Sequence, residues 1–338
     1  MSQDNLHSFE TPLLSICCLT YNHQHYIRAA IEGFISQKTN FSYEIIIHDD
    51  ASTDQTVDII KEYQKAYPRL IFPIFQSENQ YSRGIKPLPN FLWPQVRGKY
   101  IALCEGDDYW TDPNKLQIQV EFLETHPEYS ISYHRVKELY ESTGELALEK
   151  LNLSGVEKDY TIEDLAKRNL IHTPSVVIRK NFEQFPDWFM QCPIGDYPLN
   201  MLVARHGLIR YFPLPMAVYR IHPSSTWSSL DFIPQIKKWL RVLTDLIKEF
   251  NDESRIKRIL FEQLLLRYRI FYEACFKENA IDLLKEETIR LLQFSDEFID
   301  FWFDELYLHQ IRQLEQYPLG VKKSFKHLIK SIKTSFKN

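Results

Sequence analysis

Residues 13 to 23 read L-L-S-I-C-C-L-T-Y-N-H, and residues 44 to 56 repeat the plan as E-I-I-I-H-D-D-A-S-T-D-Q-T. Each is a short apolar, β-prone run that stops at polar turn residues, and each is followed by helical spacing of apolar residues. Tyr26, Ile27, Ala30, Ile31 and Phe34 carry the first helix, and Val57, Ile60 and Tyr63 carry the second. Strand, loop, helix is therefore the repeating unit. Working outward, Leu70 to Phe75 predicts a third strand, then a polar loop over Gln76 to Pro89 and a short helix near Asn90 to Gln95. Tyr100 to Cys104 predicts a fourth strand ending at Glu105-Gly106-Asp107-Asp108. Alternation of this kind implies a mainly parallel sheet, whose ligands sit outside the carboxyl ends of the strands.

Lys115 to Thr125 and Thr161 to Arg168 read as helices, and Tyr129 to Val136 and Ser175 to Ile178 as strands, so the α/β pattern continues to about Tyr219. From Phe232 onward the pattern is helical, with Trp239, Leu240, Leu243, Leu246 and Ile247 on one stripe and Ile259 to Phe276 as a second long segment. The expected organisation is an α/β domain over residues 1–230 and a helical region over 231–338. The helical stripes suit either a homodimer or packing on the α/β part. Residues 321 to 338 hold six lysines and no acid, with Val321, Phe325, Leu328, Ile329, Ile332 and Phe336 on one face. This basic amphipathic helix suits either attachment to an anionic membrane surface or packing on the body.

Composition narrows the class of function. With 338 residues, 44% apolar and 14% aromatic, the chain has ample material for a packed core. Forty Lys plus Arg against forty-five Asp plus Glu leave a net charge of −5, which argues against a protein built to neutralise nucleic-acid phosphates. Nine glycines are few against an average usage of about 7%, which excludes glycine-rich low-complexity readings. Five cysteines without a C-x-x-C pair suggest neither a disulfide framework nor a thiolate zinc site. Together with a first segment that lacks a basic and apolar leader pattern, they lead to the expectation of a cytoplasmic protein that does not span a membrane.

Two acidic pairs, Asp49-Asp50 and Asp107-Asp108, fall where strands end. Paired carboxylates facing one crevice repel each other unless a cation or a hydrogen-bonding ligand is present. Singly, each pair suits a turn or a helix cap. Their recurrence in successive βα units points to a site.

At these residues the sequence resembles the family 2 glycosyltransferases, whose nucleotide-binding domain has the Rossmann-like GT-A fold. The matching stretches are P-L-L-S-I-C-C-L-T-Y-N-H at 12 to 23, E-I-I-I-H-D-D-A-S-T-D-Q-T at 44 to 56, G-K-Y-I-A-L-C-E-G-D-D-Y-W at 98 to 110 and P-I-G-D-Y-P-L at 193 to 199. The resemblance covers about residues 12 to 222. It implies that Thr20, Tyr21 and Asn22 lie against the nucleotide, with Tyr21 covering one face of the base. It also implies that Asp50 accepts a hydrogen bond from the imide N–H of uracil or thymine, a donor that cytosine and adenine lack. Asp49 is the less defined partner, capping the next helix or fixing the loop. In the Asp107-Asp108 element, Asp107 is the ribose or sugar contact and Asp108 the ligand of Mn2+ or Mg2+, two roles that are exchangeable. His222 is a further metal ligand, and Asp196 is the general base of an inverting transfer, where helix capping is the plainer alternative.

The resemblance thus implies a metal-dependent enzyme that moves a sugar from a UDP-sugar or dTDP-sugar to a hydroxyl acceptor. That acceptor is a glycan or a lipid-linked glycan in surface polysaccharide assembly, which the basic helix suits, with a peripheral location at the inner face of the plasma membrane. Arg83 and Lys86 are candidate diphosphate contacts, Trp227 a candidate lid residue, and His172 a candidate acceptor contact. Two rival readings are a nucleotidyltransferase, against which the absence of a glycine-rich phosphate loop speaks, and a catalytically silent scaffold.

Overall fold

The first four apolar runs become neighbouring parallel strands, β1 (Leu14–Thr20), β2 (Tyr43–Asp49), β3 (Ile71–Phe75) and β4 (Tyr100–Leu103), in the order β3-β2-β1-β4. Leu14 lies in register with both Tyr43 and Tyr100. With strands on each side and helices on its faces, β1 buries Leu14, Ile16, Cys17 and Cys18, which is why it reads as an unbroken apolar run. Helices α1 (Ile27–Ile35) and α2 (Thr56–Ala66) follow β1 and β2. The buried residues of α1, Ile27, Ala30, Ile31 and Phe34, recur at the helical spacing read from the sequence. The structure is a computed structural model and describes residues 11–151, 155–223, 225, 230–295 and 298.

The remaining elements of the first unit are β5 (Tyr109–Trp110), α3 (Lys115–Thr125), β6 (Tyr129–Tyr140), β7 (Glu145–Leu148), β8 (Lys158–Tyr160), α4 (Ile162–Lys167), β9 (Val177–Arg179), α5 (Asp187–Met190), α6 (Asp196–Ala204) and β10 (Leu208–Ile221). They make the sheet mixed. Strand β9 runs antiparallel between β4 and β6, β10 runs parallel to β6, and β5 closes the order antiparallel to β10. The sequence gives no strand signal over residues 208–221 because Pro213 and Pro215 interrupt it. Proline has no N–H for the ladder, and the pairing of β10 with β6 shifts register between Phe212 and Ala217. Likewise the helix expected near Asn90 is a π-type turn over Leu88–Leu92 continued by a 3-10 turn over Trp93–Gln95, each with a proline in its first turn.

The chain divides into two compact units, Met1–Ser229 and Leu230–Asn338. Within the second, α7 (Phe232–Glu249), α8 (Ser254–Lys277) and α9 (Ile281–Leu292) bury stripes at three- and four-residue spacing, such as Ile236, Leu240, Leu243 and Ile247 on α7 and Leu260, Leu264, Tyr268 and Phe271 on α8. Trp239 sits at the edge of its stripe under the Arg267 guanidinium, 4.3 Å from the ring centre. Among the described residues no helix is long and apolar enough to cross a membrane. The basic segment 321–338 and Trp227 lie outside the described residues.

Candidate active site

The turns that follow β1 and β2 are built against each other. Asn22 and Ala51, each two residues past a strand end, adopt left-handed backbone, with φ of 56° and 64°. Asn22 accepts the Thr53 amide at 2.8 Å and donates its own amide to Ser52 Oγ at 2.8 Å. One turn on, Asp54 accepts the Gln24 amide at 3.1 Å, and Gln24 Oε1 accepts the Gln55 amide at 3.1 Å. Asp49 is fully buried and turned into its own loop, where its two oxygens accept the amide and hydroxyl of Ser52 at 2.9 and 2.6 Å. Burial holds its carboxyl above the usual range against those two bonds. Asp50 points the other way. Its amide donates to the Thr20 carbonyl, and its carboxylate accepts the amides of Gln80 at 2.7 Å and Tyr81 at 3.0 Å. Tyr21, 43% exposed beside Thr20, offers an uncovered aromatic face next to this clamp.

The acidic element after β4 is pressed against the end of β1. Gly106 donates to the Leu19 carbonyl at 2.8 Å, and a Cβ at this position would stand 2.7 Å from Thr20 Oγ1 and 3.0 Å from His23 Nδ1. Only glycine permits that approach. Pairing of β5 with β10, with Val218 opposite Tyr109, then brings residues 220–222 to the acids. The Arg220 amide donates to Asp108 Oδ1 at 2.8 Å, and His222 Nε2 lies 3.0 Å from Asp107 Oδ2, with His23 Nε2 at 3.9 Å from the same oxygen. The two neighbouring carboxyls are driven apart. Burial and the charges of Asp107 and Glu105 push Asp108 far up, whereas at Asp107 the His222 hydrogen bond and the two imidazoles outweigh burial and hold the carboxyl low. Burial in turn lowers His23.

Asp196 opens α6, with Gly195 before it as N-cap residue. Asp196 is half-buried, and burial raises its carboxyl against the pull of nearby amides, Lys86 and Asn169. Glu105, an exposed residue of the same acidic element as Asp107, has its carboxyl raised by partial loss of solvent and by the charges of Asp107 and Asp196. Burial raises the Tyr219 phenol, and the charges of Asp108, Glu105, Asp107 and Asp196 act in the same direction.

The structure thus brings Asp107, Asp108 and His222 together, with Thr20 against Gly106 and the Asp50 amide on the Thr20 carbonyl, while Asp196 stands at the start of α6. The remaining candidates have protein partners of their own. Arg83 pairs with Glu78 at 2.7 Å, and Lys86 donates to the Ile194 carbonyl. His172 lies 5.1 Å from the Tyr219 ring, with Nε2 at 4.0 Å from Glu138, and burial lowers it to about 4. Sequence reasoning gave no role to Glu105 or His23, although both stand inside the motifs quoted above.

Among the described residues no three His, Cys, Asp or Glu side chains already converge as a metal cluster. The donor set nevertheless fits a hard divalent cation. Asp107 Oδ1 and Asp108 Oδ2 are buried oxygens with no hydrogen-bond partner, and such ions are commonly held by one or two carboxylates together with substrate phosphate oxygens and water.

Comparison with known proteins follows the same lines. An uncharacterized protein of Mycobacterium tuberculosis is 43% identical over 218 residues, 64% of this chain and 61% of its own length. The chain thus spans about three-fifths of the length of these curated relatives. The Escherichia coli UDP-Glc:alpha-D-GlcNAc-diphosphoundecaprenol beta-1,3-glucosyltransferase WfaP is 35% identical over 133 residues, 39% of this chain and 50% of that protein. Residues 1–349 of Staphylococcus aureus TarS in complex with UDP-GlcNAc share the fold with a TM-score of 0.64 at 18% identity, covering 95% of this chain and 92% of that one. Mannosyltransferase PcManGT from Pyrobaculum calidifontis, in complex with GDP-Man and Mn2+, does so with a TM-score of 0.52 at 15% identity, over 89% and 86%. The model of "Glycosyl transferase family 2" matches residues 15–184, a stretch that runs from β1 through the acidic element to the strand before α5, and the chain belongs to that family.

Proposed function

We propose that the protein transfers a sugar from a UDP-sugar or dTDP-sugar to a hydroxyl acceptor with inversion at the anomeric carbon. The observation that carries this reading is the acidic element after β4, where the Arg220 amide and the His222 ring meet Asp108 and Asp107 while each carboxyl keeps one buried oxygen without a hydrogen-bond partner. Asp196 takes the acceptor hydroxyl proton. The acceptor oxygen forms a bond to the anomeric carbon as the bond to the donor phosphate breaks, and the electron pair leaves on the nucleoside diphosphate. Burial supports this role because it raises the carboxyl toward working pH.

On the donor side, Tyr21 stacks on the base, Thr20 and Asn22 line the turn, and Asp50 reads the imide N–H. Neighbours of this fold hold either a UDP-sugar or a GDP-sugar, so the fold alone does not select the base. Asp50 favours uracil or thymine over cytosine and adenine, whereas guanine also carries a ring N–H donor and is disfavoured only by the size expected of the pocket. Asp107, steadied by His222, contacts ribose or sugar together with Glu105. Mn2+ or Mg2+ would be held by Asp108 and His222 and supplies, when bound, positive charge against the diphosphate.

The acceptor is a glycan, in the lipid-linked form named for the Escherichia coli relative, and the basic segment 321–338 attaches the enzyme to an anionic membrane surface. Deleting that segment is expected to abolish flotation with anionic liposomes. Unchanged flotation removes the attachment.

The test of the main reading is a screen of UDP-sugars and dTDP-sugars for hydrolysis with and without Mn2+, using the full chain and Asp196→Asn. Metal-linked hydrolysis of one donor that Asp196→Asn abolishes while UDP still binds is the expected result. No turnover of any donor, with no metal-linked UDP binding by calorimetry, would overturn it.

A further inference from the structure

We propose that Lys86 is a positioning residue for Asp196, holding the segment that carries the base and supplying the positive charge that keeps the base ionised; the inference rests on the reading of Asp196 given above. Lys86 Nζ donates to the Ile194 carbonyl at 2.9 Å, two residues before Asp196. It also lies over the Phe189 ring, 4.7 Å from its centre. The ammonium is 3.8 Å from where a Cβ on Gly195 would stand, which puts it beside the residue that precedes Asp196. The backbone behind it is fixed as well, since Asn90 Nδ2 donates to the Lys86 carbonyl at 2.8 Å. A half-buried lysine held by a ring, a carbonyl and its own turn is not a solvated loop charge.

The groups facing Asp196 are of opposing effect. Lys86, the amides of Asp196 and Tyr197 and the Asn169 side chain favour the carboxylate, and burial opposes it. Glu105 and the Tyr219 phenol feel the Asp196 charge as well. On the lysine side, burial lowers Lys86, while Cys192 and Asp196 draw it back up. The loop that carries Lys86 is tied at its other end to Asp50 through the amides of Gln80 and Tyr81. One short segment, residues 80–86, therefore joins the donor-reading carboxylate to the base.

The test is the pH dependence of kcat for donor turnover by the full chain, Lys86→Met, Lys86→Arg and Asp196→Asn, with UDP affinity by calorimetry. Loss of a neighbouring positive charge moves the acidic limb of the Lys86→Met profile up by about one pH unit, so on the acidic side of the parent's limb kcat falls about tenfold. The donor KM stays within about twofold, because a base-side contact leaves ground-state donor binding unchanged. Lys86→Arg returns the limb toward its original position. An unmoved limb in Lys86→Met, with Asp196→Asn inactive, overturns the role of Lys86 and leaves the base in place. Weakened UDP binding in Lys86→Met assigns the lysine to the diphosphate and overturns it too. Near-normal turnover by Asp196→Asn removes the base itself, and this proposal with it.

Discussion

His222 Nε2 stands 3.0 Å from Asp107 Oδ2, joining residues 115 positions apart in the chain. The contact exists because β10 pairs with β5 and delivers its last residues onto the acidic element. Truncating the imidazole in His222→Ala leaves a buried carboxylate without its best partner. Loss of such a supporting group is expected to cost about 10- to 100-fold in activity and in metal-linked UDP affinity. Calorimetry with UDP in the presence and absence of Mn2+ measures the second directly, and equal affinities for the variant and the parent chain would refute the role.

Asp50 offers acceptors only, and the substitution Asp50→Asn converts one of its oxygens into a donor. Uracil then loses the partner of its N3–H, whereas the N3 acceptor of cytosine gains one. UDP binding should weaken by about tenfold or more while CDP binding strengthens. A competition series of UDP against CDP checks both directions, and a variant that weakens both nucleotides equally would show that Asp50 only holds the Gln80 and Tyr81 amides.

Gly106→Ala places a methyl group 2.7 Å from Thr20 Oγ1 and 2.8 Å from Thr20 Cβ. The ends of β1 and β4 have to part to receive it, at a cost of about 1–3 kcal/mol. Denaturant unfolding reads the loss of stability, and a midpoint equal to the parent's would mean that the two turns are free to move.

Lys115 is fully buried against Trp110, 4.2 Å from the ring centre, and donates to Gln119 at 2.8 Å. Burial drops it from 10.5 to about 7. Between those values the unfolded chain holds the proton and the native state has released it, so stability rises with pH across that window. The slope from this residue is at most about 1.4 kcal/mol per pH unit. Lys115→Met is expected to lose that contribution, which urea midpoints at pH 7, 8 and 9 would reveal. Parallel pH dependences for the two proteins would exclude it.

Elements whose signal is local were readable from sequence, and those that depend on distant partners were not. Helix α3 spans Lys115–Thr125 as its spacing indicated, and β1 and β2 differ from the reading by a residue at either end. Strand β10 was not legible because Pro213 and Pro215 break its pattern, and they fall where its pairing with β6 shifts register between Phe212 and Ala217. Among the site residues, Asp107 and Asp108 announced themselves by adjacency at a strand end. Lys86 stood out only as a candidate diphosphate contact, since the carbonyl it holds lies 108 positions away. Glu105 was hidden by its own motif, where the doubled aspartate drew the reading away from the acid two residues before it.

The clamp at Asp50 grips main-chain amides, which every residue but proline supplies. Side chains at positions 80 and 81 are therefore free to drift over evolutionary time without loosening the loop, whereas a single inserted or deleted residue there would pull both ends out of step. Divergence of donor preference in such a molecule proceeds by exchange of side chains at fixed length.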